Sequence, residues 1–255
     1  MGELDRKNII NNKNEALKKI NEYLDNCIIK DDKHAKKANL LSYWLKDFFK
    51  YIEQEETFDS SFLKEYSRGD IIKVNLGFNV GNEEGGLHYC VVLDKKNAKS
   101  YSTITVVPIS SLKDTSKPQK TSIFLGEEIY NNLVDKCNSL IEKGKNEVIN
   151  LRQEINFLKE LPETTEEEKI IKKYKIDNLN KALENNENNL QLILKINTEL
   201  SQMKKGTIAL INQITTISKQ RIYNPKKELD ILSGIRLSDE KMALIDEKIK
   251  KLYIN

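Results

Sequence analysis

Apolar residues recur at steps of three and four through about the first fifty residues, which is the spacing of one helix face. Two such runs flank a short charged stretch at 30–33. The first contains Leu17, Ile20, Leu24 and Cys27, and the second contains Ala38, Leu41, Leu45, Phe48 and Ile52. Because Asp31 or Asp32 can cap the second run, the pattern predicts a helix pair. Its stripe of Trp44, Phe48 and Phe49 is predicted to pack on the small barrel described below or on a second copy.

Short runs rich in Val, Ile and Thr follow, each bounded by Gly, Asn, Asp or Ser, and this pattern is typical of β-strands. The runs lie at 70–76, 88–93, 104–109, 121–125, 205–213 and 215–217. Short strands in this number predict a small barrel or sandwich. A helix capped by Ser238 closes the chain, and its predicted buried stripe is Met242, Ile245, Ile249 and Leu252.

Between 125 and 205 the strand pattern gives way to heptads, in which apolar residues alternate by four and three. The first run is Tyr130, Val134, Cys137, Ile141, Gly144, Val148, Leu151, Ile155 and Leu158. The second run is Ile176, Leu179, Leu183, Asn186, Leu190, Ile193, Asn197 and Leu200. Thr165 with Glu168 forms a capping box for the second run. These runs predict an antiparallel helical hairpin, a coiled coil folded at Pro162 and roughly 50 Å long.

Composition narrows the functional classes. The net charge of +3 is small for 255 residues, so any contact with RNA or DNA must be a local patch rather than an overall basic field. Three widely spaced cysteines and two histidines favour reduced thiols and argue against a metal centre. No apolar run approaches the length of a membrane span. We therefore expect a soluble, cytoplasmic protein with no membrane association and no cofactor.

Five segments in order resemble the PemK/MazF toxins of bacterial toxin–antitoxin systems. They are 68–71 (Arg-Gly-Asp-Ile), 81–86 (Gly-Asn-Glu-Glu-Gly-Gly), 106–111 (Val-Val-Pro-Ile-Ser-Ser), 213–222 and 237–242. The resemblance covers somewhat under half of the chain and keeps its order when the hairpin is treated as an insertion. It implies an α+β fold with a small SH3-like β-barrel of the PemK/MazF/CcdB type. The predicted domains are an N-terminal helical segment at 1–67, a barrel with its final helix at 68–126 plus 205–255, and an inserted hairpin at 127–204.

The same resemblance implies a homodimeric toxin that a cognate antitoxin protein silences. It also implies a metal-independent endoribonuclease that cleaves single-stranded RNA, such as mRNA. In that chemistry the 2′-hydroxyl of the substrate attacks the adjacent phosphate and leaves a 2′,3′-cyclic phosphate. The reaction needs a proton acceptor, a proton donor and groups that stabilise the charged phosphorane.

Two residues are predicted to be catalytic. His88 stands where the family usually has arginine, and an imidazole exchanges protons near neutral pH, so we expect it to act as the acid or base. Ser110 stands at the position of the family's catalytic threonine and keeps its hydroxyl. The alternatives are a structural histidine at a strand start and a serine that satisfies local backbone.

Further residues are predicted to bind the substrate: Glu83, Gly85, Gly86, Tyr89, Ser111, Gln213, Lys219 and Arg221. The glycines permit close approach of a phosphate or a base. An extended strand would place Lys219 and Arg221 on one face, where paired cations suit phosphate contact. Tyr89 could stack on a base or pack in the core, and Glu83 could be only an exposed loop carboxylate.

Two other functions remain open at this stage. One is a gyrase-binding toxin resembling CcdB, which has the same fold and cleaves no RNA. The other is a catalytically inactive RNA-binding module, because His88 replaces the family arginine. The RNA sequence recognised would depend on the loops at 82–86 and 112–120.

Overall fold

The computed structural model describes residues 5–111, 120–162 and 165–254. Nearly all of the loop at 112–120 therefore lies outside the described residues, as do Glu163 and Thr164 beside the predicted hairpin turn. The described chain divides into two compact units. One holds the residues up to Phe58 together with Leu76–Gly86, and the other holds Asp59–Asn75 and the residues from Leu87 onward.

The first unit is built on the predicted helix pair, α1 (Arg6–Lys30) and α2 (Asp32–Glu53). Asp31 caps α2, because its carboxylate accepts from the His34 backbone N–H at 2.9 Å. Only Cys27 and Ala38 are buried in the two helices. Phe48 and Phe49 are 41% and 56% exposed. Packing of this stripe on the barrel or on a second copy stays a prediction.

The second unit contains two antiparallel sheets. The smaller pairs β1 (Tyr66–Ser67) with β4 (Lys96–Asn97). The larger consists of β2 (Ile71–Asn75), β3 (Leu87–Val92), β5 (Thr103–Ser111), β6 (Ser122–Gly126), β7 (Thr207–Leu210), β8 (Thr215–Ser218) and β9 (Ile222–Asn224). Its order is β6-β7-β5-β3-β2-β9, and β8 pairs with the first half of β5. A short 3-10 helix at Ser60–Phe62 precedes β1, and two others, Ile211–Gln213 and Lys219–Arg221, connect β7 to β8 and β8 to β9.

The α+β class is confirmed, but the closed barrel is not. In the described residues the outer strands of the large sheet, β6 and β9, do not pair with each other. The sheet bends instead along β5, whose first half pairs with β8 and whose last residues pair with β7. This order places β2, β3 and β5 side by side in the centre of the sheet.

A helical hairpin connects β6 to β7, as the heptads predicted. Its arms are α3 (Glu128–Glu160) and α4 (Glu166–Gln202), and the predicted Thr165–Glu168 capping box begins the second arm. Leu190 is 55% exposed whereas Ile196 is fully buried, so the predicted contact face of α4 is wrong at Leu190. Ile193 and Leu200 pack against the core as predicted. The amide of Asn189 donates to Asn186 at 3.4 Å.

The closing helix α5 (Asp239–Tyr253) begins after Ser238, whose hydroxyl accepts from the Lys241 N–H as predicted. Met242 and Ile245 are buried, but Leu252 is exposed at the helix end, which corrects its place in the stripe. One sheet face packs against the hairpin stem and α5. The shared core contains Ile71, Val91, Val107, Ile109, Ile129, Leu133, Cys137, Ile196, Ala209, Met242 and Ile245.

Candidate active site

His88 is the second residue of β3 and is half-buried. In the sheet it lies opposite Val74 of β2. Its ring Nδ1 is 3.5 Å from the backbone oxygen of Ile109 on β5. Because a carbonyl oxygen only accepts hydrogen bonds, this contact places a proton on Nδ1, and in the neutral tautomer that carries it the lone pair is on Nε2. The ring is thereby held toward β5.

Ser110 lies beside this histidine on the neighbouring strand. The β3–β5 register pairs Tyr89 with Ile109, so one further step along the two antiparallel strands sets His88 opposite Ser110. Residues opposite each other in such a pair share a face, with Cβ atoms about 5 Å apart. Ser110 is half-buried and also lies opposite Ile208 of β7. The sheet thus brings the two predicted catalytic residues together.

Arg221 lies at the same end of the sheet, on the other side of His88. Its Nε donates to the backbone oxygen of Asn75 at 2.7 Å, and Asn75 pairs with Leu87. The next residue, Ile222, lies opposite Val74. Neighbouring strands are about 4.8 Å apart, so Arg221 is separated from the histidine by only one strand. Ser110, His88 and Val74 therefore lie in one lateral row across β5, β3 and β2, and Arg221 lies at the end of this row, in the 3-10 helix just before β9. We call these four residues the catalytic row.

Tyr89 and Ser111 occupy the opposite sheet face, since successive residues of a strand alternate. The Tyr89 hydroxyl donates to the Glu199 carboxylate of α4, and the ammonium of Lys73 pairs with the same carboxylate at 2.5 Å. Burial, together with the Glu199 contact, raises the pKa of the Tyr89 phenol. Sequence reasoning missed Lys73 and Glu199, because a charge at the end of a heptad run gives no signal of its partner. Tyr89 therefore packs against the core, and its hydroxyl donates its proton to Glu199.

The sequence predicted that Lys219 and Arg221 share one face of an extended strand, and this prediction is wrong. Residues Lys219–Arg221 form a 3-10 helix, which points the two side chains in different directions. Lys219 is completely buried, and its ammonium donates to the Ala98 oxygen at 2.7 Å. Burial lowers the pKa of this ammonium. We therefore leave Lys219 out of the site, while Gln213, half-buried at the end of another 3-10 helix, stays a prediction.

The three predicted loop residues belong to the first unit and serve the loop itself. Gly86 has φ +82°, and a Cβ on Gly85 would come within 2.8 Å of the Gly77 oxygen. The Glu83 carboxylate accepts from the Val80 N–H at 3.2 Å. Gly85 thus permits the close approach of the Gly77 carbonyl, and Gly86 permits the positive φ. Their roles in substrate binding stay predictions.

Two further features bear on the candidate chemistry. Within the described residues, no three His, Cys, Asp or Glu side chains are grouped so that they could hold a metal ion. No helix in that part of the chain is long and apolar enough to cross a membrane.

Comparison with known proteins gives one finding. No curated protein sequence matches the chain. Residues 67–186 match the family model of the PemK-like, MazF-like toxin of type II toxin–antitoxin systems. The matched range includes His88 and Ser110 and ends within α4, so Arg221 and the strands after the hairpin lie outside it. The resemblance to the PemK/MazF-like toxin family that the sequence predicted is thus confirmed for residues 67–186.

Proposed function

We propose that this toxin is a metal-independent endoribonuclease that cleaves single-stranded RNA, with His88 and Ser110 as catalytic residues and Arg221 as the phosphate-binding cation. The observation that supports it most is the catalytic row. It places an imidazole, a hydroxyl and a guanidinium at one end of adjacent strands. Membership of a type II family also implies an antitoxin protein as the partner.

The proposed reaction gives one role to each of the three polar members of the row. Nε2 of His88 takes the proton of the substrate 2′-hydroxyl, and that oxygen attacks the neighbouring phosphorus. The bond from phosphorus to the 5′ oxygen breaks, and the departing oxygen takes a proton from solvent. Ser110 donates to a non-bridging oxygen, and Arg221 offsets the charge that builds up on the phosphorane. The products are a 2′,3′-cyclic phosphate and a 5′-hydroxyl.

Cleavage of single-stranded RNA of mixed sequence in EDTA tests this proposal. We expect cyclic-phosphate ends, identified by mass spectrometry of the fragments. His88→Ala should lower the rate by about 10²–10⁴-fold, the range for loss of an acid–base group. The chain offers a matched control in His34→Ala, since its second histidine lies on α2 and pairs with Asp31 at 2.7 Å.

Each alternative function has its own outcome in this experiment. Intact RNA together with inhibited DNA supercoiling by gyrase would favour a CcdB-like toxin instead. RNA binding with neither effect would favour an inactive binding module. If His88→Ala cleaves as fast as His34→Ala, the histidine is not catalytic.

A further inference from the structure

A small pocket lies beside the catalytic row, on the sheet face that the hairpin covers. Its volume is about 80 Å³, and it is lined by strand residues and by the end of the hairpin. Ser110 lies at the boundary, since it belongs to the row and also borders the pocket. The pocket and the row lie on opposite faces of the sheet but at the same end of β5, so an RNA strand held at the row would reach the pocket by passing around that end.

The walls of the pocket are mainly apolar. Tyr89, Ile109, Ile129 and Met203 line it. All four belong to the core between the sheet and the hairpin stem or pack against it. The Tyr89 hydroxyl is fixed by Glu199, so its ring is a rigid wall. Unpaired RNA bases bind to aromatic and apolar surfaces of this kind, which accept any flat ring.

Polar groups that could read a base stand at the hairpin end of the pocket. Gln202 and Lys204 line it and are exposed. Within the part of the chain that the structure describes, neither side chain has a hydrogen-bond partner or an ion pair. The nearby carboxylate of Glu199 is already occupied by Lys73 and Tyr89. An amide offers both a donor and an acceptor to a base edge, and an ammonium suits the adjoining phosphate.

The size of the pocket sets a limit on the base. Pockets for drug-sized ligands run to roughly 300–1,000 Å³, so a pocket of about 80 Å³ suits a single ring better than a fused pair. We propose that the pocket holds one unpaired pyrimidine base of RNA, with Gln202 and Lys204 as its specificity-determining residues. The proposal rests on RNA being the substrate, and it gives the hairpin stem a direct part in choosing the sequence.

Binding of oligonucleotides that cannot be cleaved tests the proposal apart from catalysis. Fluorescein-labelled 2′-O-methyl oligomers of U, C or A lack the attacking hydroxyl, and fluorescence anisotropy in EDTA reports their affinity. We expect the parent protein to bind the U or C oligomer about tenfold tighter than the A oligomer. The Gln202→Ala/Lys204→Ala variant should lose this preference.

A double variant of the same residue types on the same arm provides the control. Gln191 and Lys195 are exposed on α4 and do not line the pocket, so Gln191→Ala/Lys195→Ala should keep the preference. Equal affinity of the parent for the three oligomers, no binding at all, or an unchanged preference in the pocket variant would overturn the proposal. Preferential binding of pyrimidine oligomers by a protein that leaves unmodified RNA intact would refute the nuclease and leave the pocket standing.

Discussion

Glu199→Ala should destabilise the protein, because this carboxylate joins the hairpin stem to the central strands. Its side chain and that of Lys73 are each 17% exposed, and their charged atoms are 2.5 Å apart. The same carboxylate accepts from the Tyr89 hydroxyl. Truncation would leave a nearly buried ammonium and a nearly buried hydroxyl without their acceptor.

The expected magnitude lies between two known limits. Exposed ion pairs contribute about 0–1 kcal/mol, whereas removing one partner of a buried pair costs about 3–5 kcal/mol. For this mostly buried group we expect a loss of about 2–4 kcal/mol. At about 2–4 °C per kcal/mol for a chain of this size, the midpoint of thermal unfolding should fall by about 5–15 °C. Glu199→Gln keeps an acceptor for Tyr89 and should fall between the variant and the parent.

Circular dichroism of thermal unfolding at neutral pH measures this loss, with Glu184→Ala as the control because Glu184 is exposed on the same helix. A double-mutant cycle of Glu199→Ala and Lys73→Met isolates the energy of the ion pair between these two residues, and we expect a coupling energy of about 1–3 kcal/mol. A melting midpoint of Glu199→Ala within about one degree of that of Glu184→Ala would refute the stabilising role of this carboxylate, since a loss of even 1 kcal/mol would shift the midpoint further.

Three other substitutions test the fold and its charges. Lys219→Met should cost about 1–3 kcal/mol, since it leaves the Ala98 oxygen without its buried donor; equal denaturation midpoints in urea would contradict this. Gly86→Ala should lower the free energy of unfolding by about 1 kcal/mol, because this residue has a positive φ; an unchanged midpoint would contradict this. Burial raises the pKa of Asp70, so ionisation of this carboxyl lowers the free energy of unfolding as the pH rises through its pKa in the folded state. Asp70→Asn keeps the acceptor for the Ser67 N–H, and it should melt higher than the parent at pH 7, with the gap narrowing toward pH 4.

Local signals in the sequence predicted the helices well. Asp31, Thr165 with Glu168, and Ser238 each satisfy backbone N–H groups within three residues along the chain. Such caps are decided by neighbours in sequence, so their pattern is visible without tertiary structure.

Long-range contacts were beyond the sequence. Glu199 is more than a hundred positions from Tyr89, and no pattern linked the two before the fold was known. Lys219 resembled a solvated cation because composition does not reveal that its stem is enclosed. The strand Ile222–Asn224 is too short to show a period. In each case the deciding contact joins segments that only the completed sheet and hairpin bring together.

The hairpin has a consequence for how the chain folds. Gly126 pairs with Thr207, so β6 and β7 meet although about 80 residues separate them along the chain. Closing an unstructured loop of that length carries an entropic penalty that grows with the logarithm of its length. If α3 and α4 assemble first, through contacts between neighbours around the tip, the effective loop shrinks to a few residues and the penalty falls by about 2–3 kcal/mol. Early assembly of the hairpin would therefore lower the entropic cost of pairing β6 with β7 in the correct register.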